Sequence, residues 1–431
     1  MDTLKEIACS GLAALLGAGA EKAQCNYTQT TRDELNVELG ELSLLRTTLD
    51  TTMELAAIKE RKRGSTVLNC PDRTVLQQAA ADLIEIAHAS APDEAYEIAA
   101  AQPPAVFEKG ASRPDRERMY RRMKELLREI AARYPRIMVR QAILDFTRTE
   151  NCFLNSNGVD LVTGKGIYRA SVFFSAREGE RVSSFNITGF SLGDLERNLL
   201  ECGSLDSLLR QSSGQIVTRP LQGKFIGEVI ITPDCLGDLL GFLTGAVGDG
   251  PLISGTSIYR DRLHQQIAAP AFSLHSRPVS DEICDGYFVT ADGYVARNSA
   301  IVEKGMLNSF LLTLYGSRKT GLPRAVNDGG AFVVDPGESP FEEMIRSVKK
   351  GILMARFSGG VPGESGDFAG VAKNSYLIED GTLGCPLSES MIAGNFVEML
   401  KNITAISRER VDFGDSILPW IAFSGVTVSG K

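Results

Sequence analysis

The histidines and cysteines of this sequence are not spaced as a local zinc-binding motif. It contains three histidines, His88, His264 and His275, and eight cysteines that lie far apart without a C-x-x-C pair. Zinc sites usually draw on His and Cys ligands at short fixed spacings, and none of these histidines has a cysteine at such a spacing. The sequence therefore predicts no local metal motif, and it leaves open only a three-histidine site assembled by folding.

Three further stretches come close to known catalytic or phosphate-binding motifs, but each fails at a required position. Thr163-Gly164-Lys165 is followed by Gly166, where a P-loop needs a hydroxyl residue to hold magnesium. Gly17-Ala18-Gly19 follows a predicted helix and lacks the third glycine of a dinucleotide fingerprint. Gly363-Glu364-Ser365-Gly366-Asp367 ends in Asp, where a nucleophile elbow needs Gly. We interpret all three as turns or helix ends.

Charge and hydropathy disfavour several classes of protein. The 431 residues carry a net charge of -8, with 43% hydrophobic and 23% charged residues, which is typical of a folded globular protein and unfavourable for non-specific nucleic-acid binding. No stretch approaches the roughly eighteen apolar residues of a membrane span. An N-terminal amphipathic helix is predicted instead of a signal peptide, because Asp2 and Glu6 stand where a signal peptide would be basic. We therefore expect a cytoplasmic protein with reduced thiols, no membrane partner and no direct nucleic-acid partner.

One locally basic segment, residues 116–133, is the best candidate for RNA binding. It is predicted to be a helix, and its Glu117, Glu125 and Glu129 stand at helical spacing from neighbouring arginines and a lysine. Such pairs stabilise a solvated helix face. A solvated face is therefore the preferred interpretation, and an RNA-binding helix is the alternative.

The chain length and the order of predicted helices and strands indicate an α+β protein of two domains. Residues 1–220 are predicted to form a mixed α/β N-terminal domain with antiparallel strands. A candidate linker lies near residues 103–114, in a polar stretch that begins with Pro103-Pro104 and ends near Pro114. Residues 221–431 are predicted to form a strand-rich C-terminal domain, either a sheet or barrel-like.

Three local elements can be placed from their sequence signals. Alternating apolar residues on both sides of Gly40 predict a hairpin, and Asp72 precedes an apolar helical pattern as its N-cap. A helix is also predicted from Ser339 to about Phe357, with Ser339 as the cap and Pro340 at the first helical position.

A series of short motifs in the C-terminal half is more specific. In order, it reads Gly366-Asp367-Phe368-Ala369-Gly370-Val371, Leu377-Ile378-Glu379-Asp380-Gly381, Pro386-Leu387 and Ile392-Ala393-Gly394-Asn395-Phe396. This series resembles the TldD/PmbA family, and more closely its PmbA branch, also called TldE and labelled as a modulator of DNA gyrase. The similarity is strongest over residues 227–430. Apart from the resemblance, turn chemistry accounts for Gly366, Asp367, Asp380 and Gly381.

The resemblance implies a two-subunit cytoplasmic zinc metallopeptidase. In such an enzyme the TldD partner binds zinc through H-E-x-x-x-H on a helix and through a later cysteine, and the metal activates water with the Glu as base. The corresponding helix here includes residues 239–246, which places Gly241 and Ala246 at the histidine positions and Phe242 at the glutamate position. No H-E pair occurs anywhere in the sequence, and no cysteine follows Cys385. We therefore predict no catalytic residue, metal ligand or cofactor in this chain, and zinc in its partner.

Three functions are compatible with this reading. The leading hypothesis is a non-catalytic PmbA/TldE-like subunit that pairs with a TldD-like chain and binds unfolded or flexible peptides for cleavage. The alternative is a peptidase-independent, self-associating binding or regulatory protein of the gyrase-modulator type, for example a homodimer. A third hypothesis, an independent enzyme built on Glu379, Asp380 and a histidine brought close by folding, has no positive support in the sequence.

Overall fold

A long antiparallel hairpin opens the sheet of the N-terminal half. The computed structural model describes residues 2–69, 72–359 and 362–430. Strands β1 (Lys22–Glu38) and β2 (Glu41–Lys59) meet at Gly40, whose φ of 87° is accessible to glycine without a steric penalty. The predicted hairpin is confirmed in position, although both strands extend well beyond the predicted alternating runs.

The remaining N-terminal elements complete one mixed sheet with helices on one side. They are α1 (Asp2–Gly17), β3 (Lys62–Leu68), α2 (Arg73–Ala89), β4 (Ala105–Gly110), α3 (Arg116–Arg133), β5 (Ile137–Asn155), β6 (Asp160–Glu178), β7 (Arg181–Val182), β8 (Asn186–Leu192), a 3-10 turn (Leu199–Glu201) and α4 (Leu205–Gly214). The strand order is β3-β2-β1-β5-β6-β4, and β7 and β8 also pair with β6. The β4–β6 pair is parallel and the others are antiparallel.

The helices cover one face of this sheet. The Asp72 side chain accepts hydrogen bonds of 2.9 Å from the backbone N–H groups of Thr74 and Val75, which confirms it as the cap of α2. Apolar side chains of α1 and α2 pack against β1, β2 and β5, and those of α3 and α4 pack further along the same face. The opposite face carries mainly polar side chains, because the same registers place Thr28, Asn151 and Thr163 side by side on it.

The stretch proposed as a candidate linker contains strand β4. This strand pairs with β6 from Ala105 to Gly110, so these residues form one edge of the sheet. The proposed domain boundary near residue 220 falls between α4 and the next strand, and the division into two domains remains a prediction.

The C-terminal half is built around a closed ring of strands. Its elements are β9 (Lys224–Ile231), α5 (Pro233–Ala246), α6 (Asp249–Ser254), β10 (Leu274–Ser276), β11 (Ser299–Glu303), β12 (Met306–Leu307), α7 (Leu314–Thr320), β13 (Phe332–Val334), α8 (Phe341–Ser347), β14 (Lys350–Gly359), β15 (Asp367–Glu379), β16 (Thr382–Pro386), β17 (Ser390–Asn395), α9 (Phe396–Lys401), β18 (Ile403–Asp412) and β19 (Ile417–Ser429). The path β9-β14-β15-β17-β19 returns to β9 and closes a barrel. The prediction of a strand-rich, barrel-like half is confirmed.

The helix predicted from Ser339 to about Phe357 is wrong in its extent and in its cap. Helix α8 ends at Ser347, and its cap residue Pro340 makes no side-chain cap bond. Strand β14 follows, and four successive apolar residues in it are buried: Ile352, Leu353, Met354 and Ala355. Both faces of β14 are covered, with Ile352 and Met354 packing beside α5 and Leu353 beside α8. Such a strand lacks period-two alternation, so its apolar run resembles a continued helix.

Within residues 2–69, 72–359 and 362–430, no helix is both long enough and apolar enough to cross a membrane.

Candidate functional site

Helix α5 carries the three positions that the sequence suggests as vacated zinc-ligand positions. Its N-terminus follows Thr232, with Pro233 in the first turn, where the missing N–H of proline carries no penalty. Its buried leucines pack among side chains of the barrel, and the helix contacts β14 and β19. The helix is therefore held as part of the core of the C-terminal half.

The three positions meet different surroundings. Gly241 is exposed, and a Cβ built on it would meet nothing within 4 Å. Phe242 is 9% exposed and packs edge to face on Phe396 at a ring-centroid distance of 5.6 Å. Ala246 is partly buried against the same core.

The side chains at these positions do not fit a zinc ion. Glycine and alanine have no donor atom, and phenylalanine is apolar. The histidines lie elsewhere: His88 is on α2, His264 is in a loop, and His275 on β10 lies with Nε2 3.1 Å from Asp335. Across the part of the chain that the structure describes, no group of three or more His, Cys, Asp or Glu residues is arranged to hold a metal.

The buried thiols are also poor ligands. Burial raises the pKa of Cys25 and of Cys152 to about 12 each, and it raises the pKa of the fully enclosed Cys235. A metal binds the thiolate, which burial in apolar surroundings disfavours. We therefore assign no metal chemistry to these groups.

The first and last of the family-like motifs in the C-terminal half meet at one turn. Asn395 donates from Nδ2 to Asp367 Oδ1 and to the Ser365 carbonyl, both at 2.9 Å, and its Oδ1 caps α9 by accepting from the Glu398 N–H. The Asn395 bond and the Ser365 hydroxyl lower the pKa of Asp367. These contacts tie β15 to β17 and position α9, so the motif residues act here as a structural clamp.

The second charged motif also forms a turn. Asp380 and Gly381 join β15 to β16 with φ values of 48° and 74°. Their backbone N–H groups donate to the carbonyls of Lys349 and Val348 at 2.8 and 2.9 Å. The described contacts of this hairpin provide no nucleophile or proton-transfer pair for an independent enzyme.

A polar cleft lies between residues 286–291 and the face of the N-terminal sheet opposite the helices. Its volume is about 280 Å³, and its walls include Asn26, Thr28, Asn151 and Thr163. Asn151 donates from Nδ2 to Asn26 Oδ1 at 2.5 Å and to Thr28 Oγ1 at 2.8 Å. Neutral hydroxyl and amide groups of this kind suit hydrogen bonding to a peptide more than covalent catalysis.

A partly buried carboxylate holds two cations of the cleft wall in place. Asp285 contacts Lys165 at 2.6 Å, Arg169 at 2.8 Å and the Ser191 hydroxyl at 2.9 Å. Burial alone would raise the pKa of Asp285, but Lys165 and Arg169 lower it below its usual range. Sequence reasoning considered Lys165 only within a failed P-loop and missed Asp285 entirely. The alternation of Thr163, Lys165 and Arg169 along one face of β6 is the signal that could have indicated a polar surface.

The distal part of the first hairpin, residues 39–52, is a second candidate surface, which we call the leucine arm. Its exposed leucines are Leu39 at 73%, Leu42 at 48%, Leu44 at 37%, Leu45 at 62% and Leu49 at 62%. Strand β3 pairs with β2 only from Met53 to Lys59, so within the described ranges residues 41–52 have no strand on their outer side. An open strand edge with exposed apolar side chains is suited to pairing with another chain.

Sequence comparison identifies the family of the domain that contains the closed barrel. Residues 223–430 match the PmbA/TldA metallopeptidase C-terminal domain. The chain therefore carries a PmbA/TldD family domain, as the motifs of its C-terminal half predict.

Named relatives come from both branches of the family. The chain is 28% identical to metalloprotease PmbA of Escherichia coli O157:H7, over 46% of this chain and 45% of that protein. It is 25% identical to a metalloprotease of Methanothermobacter thermautotrophicus, over 61% and 60% of the two chains. It is 22% identical to the zinc metalloprotease TldD homologue of Saccharolobus solfataricus, over 61% and 62%. The chain thus spans about half the length of the curated relatives it matches.

Two solved structures share the fold over essentially the whole chain. TldE from Thermococcus kodakarensis superposes with a TM-score of 0.83 at 18% identity, covering 99% of both chains. A protein from Bacteroides thetaiotaomicron, named as a candidate modulator of DNA gyrase, superposes with a TM-score of 0.87 at 21% identity, covering 100% of both. The α+β architecture is therefore that of TldE.

Proposed function

We propose that this chain is the non-catalytic, PmbA/TldE-like subunit of a TldD-type zinc metallopeptidase that cleaves unfolded or flexible peptides. In this proposal the TldD-like partner holds the zinc, and this chain binds peptide and shapes access to the partner's site. One observation carries the proposal. At Gly241, Phe242 and Ala246 the chain offers no metal donor, and Phe242 is committed to core packing against Phe396.

Two surfaces support the proposal that this chain binds peptide and partner while the partner holds the zinc. The polar cleft beside Asn151 offers neutral hydrogen-bonding groups, which suits peptide binding. The leucine arm offers an open strand edge for a second chain. Pairing at a strand edge uses backbone hydrogen bonds and makes little demand on sequence.

Proteolysis of an unstructured peptide tests the proposal. The purified chain is assayed alone and mixed with a TldD-like chain that carries H-E-x-x-x-H, and zinc is measured in each sample. We expect cleavage that depends on the partner's zinc, faster in the mixture than with the partner alone. This chain alone should show neither cleavage nor stoichiometric zinc. Cleavage by this chain alone would refute the assignment.

A second candidate function is that of a self-associating binding or regulatory protein without peptidase work. The open edge of the leucine arm favours it, because an antiparallel edge can pair with a second copy of itself about a two-fold axis. A genome that encodes no chain with H-E-x-x-x-H would favour this function over the first. So would a stable homodimer that gives no enhancement in the mixture.

A further inference from the structure

Helix α3 presents a row of cations to solvent. Its buried face packs on the sheet through four apolar residues, Met119, Met123, Leu126 and Ile130. The opposite face is exposed and carries Arg121, Lys124 and Arg128, which we call the α3 cation row. Spacings of three and four residues place these side chains next to one another along the helix. The chain as a whole has a net charge of -8, so the row is a local exception.

The carboxylates of α3 leave this row largely uncompensated. Glu125 pairs with Arg122 at 2.6 Å, and Glu129 accepts a hydrogen bond of 2.8 Å from Asn198. No residue that the structure describes forms an ion pair with the row. Glu117 shares the exposed face, so three cations stand there against one carboxylate. The row is therefore available to an anionic partner.

The leucine arm borders α3. Arg116, in the first turn of the helix, places Nη2 3.5 Å from the Thr47 hydroxyl of the arm. Thr47 stands between Leu45 and Leu49 along β2. Leu45 lies on the α3 side of the sheet, because its cross-strand partner Leu35 packs in the same apolar cluster as α3. Alternation along the strand puts Leu49 on that side as well.

An exposed aromatic ring follows on the same side of the helix. Tyr120 is 46% exposed and lies one turn after Arg116. The Lys124 Nζ lies 5.0 Å from the centre of the Tyr120 ring. A cation over a ring face is attracted to it, so this contact holds Lys124 in place without neutralising its charge. Exposed leucines, an aromatic ring and cations thus adjoin one another, and we call them the arm–helix surface.

This combination favours an acidic protein segment over other anionic partners. Nucleic-acid interfaces are much more positively charged and more polar than protein interfaces. Anionic lipids are usually bound by clusters of about four to eight Lys or Arg residues. The arm–helix surface has fewer free cations and more exposed apolar side chains than either of those partners requires.

We propose that the arm–helix surface binds an acidic amphipathic segment of a partner protein. The apolar side chains of the segment pack on the arm leucines, and its carboxylates pair with the α3 cation row. Resting on the proposed function, the partner is the TldD-like chain. Charge complementarity of this kind raises the rate of association and selects against wrong partners.

Fluorescence anisotropy of the isolated chain tests this proposal without any proteolysis. The probe is a labelled synthetic helical peptide with glutamates on one face and leucines on the other. We expect saturable binding that weakens as salt is added. Binding should be at least tenfold weaker in the variant that combines Arg121→Glu, Lys124→Glu and Arg128→Glu. A probe with glutamine in place of glutamate should also bind at least tenfold more weakly to the wild type. Absence of saturable binding, or equal affinity for the two probes, would overturn the proposal.

The matched control reverses three exposed cations elsewhere and combines Arg63→Glu, Arg181→Glu and Lys349→Glu. These residues lie on β3, on β7 and just before β14. The control has the same net charge as the test variant and should keep the wild-type affinity. An equal loss would show that net charge alone matters and would reject the surface. Circular dichroism verifies folding. If the test variant does not fold, glutamine replaces glutamate at the same three positions, and binding should still weaken.

Competition separates the possible partners. A TldD-like chain that displaces the probe supports the assignment, whereas one without effect overturns it. Single-stranded RNA or phosphatidylserine vesicles that displace the probe more readily than the TldD-like chain would overturn the choice of a protein partner. Because the probe binds the isolated chain, failure here is distinct from failure of the mixed proteolysis assay.

Discussion

Phe242 and Gly241 are neighbours on α5, but one faces the core and the other faces open space. Replacing Phe242 with alanine removes a ring that packs on Phe396 and leaves a cavity. We expect Phe242→Ala to lower the free energy of unfolding by about 3–5 kcal/mol, measured by urea denaturation.

Gly241→Ala provides the adjacent control. The added Cβ meets nothing within 4 Å, and alanine is the better helix former, so the free energy of unfolding should rise by about 0.5–1 kcal/mol. If both variants are destabilised equally, the placement of these two side chains is wrong.

We predict that Asp285 makes a pH-dependent contribution to the free energy of unfolding. Its pKa lies below its usual range in the folded protein because of Lys165 and Arg169, which outweigh burial. Its contribution is therefore complete above the pKa of the unfolded chain, about 3.9, and is lost as pH falls through the folded pKa. At pH 7, Asp285→Asn should lower the free energy of unfolding by about 2 kcal/mol.

Unfolding of wild type and Asp285→Asn from pH 7 to pH 2 measures this dependence. The difference between them should shrink towards low pH. The exposed Asp261 supplies a control, since Asp261→Asn should leave the curve nearly unchanged. A difference that stays constant with pH would indicate that the charge of Asp285 is not what matters.

At the scale of elements, we predict that the leucine arm mediates association with a second chain. Replacing Leu45 and Leu49 with lysine puts charge on an open edge, a common natural protection against pairing. We expect association with a TldD-like chain, or with a second copy, to weaken at least tenfold in analytical ultracentrifugation. The free energy of unfolding of the isolated chain should change by less than about 0.5 kcal/mol per substitution, as usual for surface sites.

Ile86→Lys is the control for the arm. Ile86 is 49% exposed on α2, away from the open edge, so this substitution should not alter association. Equal weakening by both changes would indicate a general effect of charge and would reject the arm as an interface.

The sequence predicted elements whose signals are local. Asp72 and the turn at Gly40 were identified because a cap and a tight turn are set by a few neighbouring residues. The extent of β1 was missed, because its half-buried polar residues, such as Thr28 and Arg32, give no apolar alternation. The sequence of β14 predicts a helix because the partners that bury both faces of this strand are distant in sequence.

The candidate site was less accessible to sequence reasoning. Motif comparison indicates Gly241, Phe242 and Ala246, and the structure places Gly241 in solvent and Phe242 in the core. The pairing of Asp285 with Lys165 joins residues more than a hundred positions apart. No local pattern predicts such contacts.

At the scale of the whole molecule, the two halves share a polar interface. Lys109 donates to the carbonyls of Ser280 and Ile283 at 3.0 and 2.6 Å, and Asp234 accepts from the Ser204 hydroxyl at 2.5 Å. We therefore expect the halves to unfold together. Trp420, the single tryptophan, reports on the C-terminal half by fluorescence, whereas far-UV circular dichroism reports on both. Coincident thermal transitions are expected, and separated ones would show independent domains.

The closed barrel has a consequence for how the chain is made. Strand β9 pairs with both β14 and β19, so it emerges from the ribosome long before either partner exists. Until β19 is synthesised, the incomplete barrel has two unpaired strand edges. The side chains of Val229 and Ile231 then have no complete core to pack into. The N-terminal sheet can settle during translation, but the barrel cannot close until β19 has emerged. Slow maturation and dependence on chaperones during synthesis are the expected result.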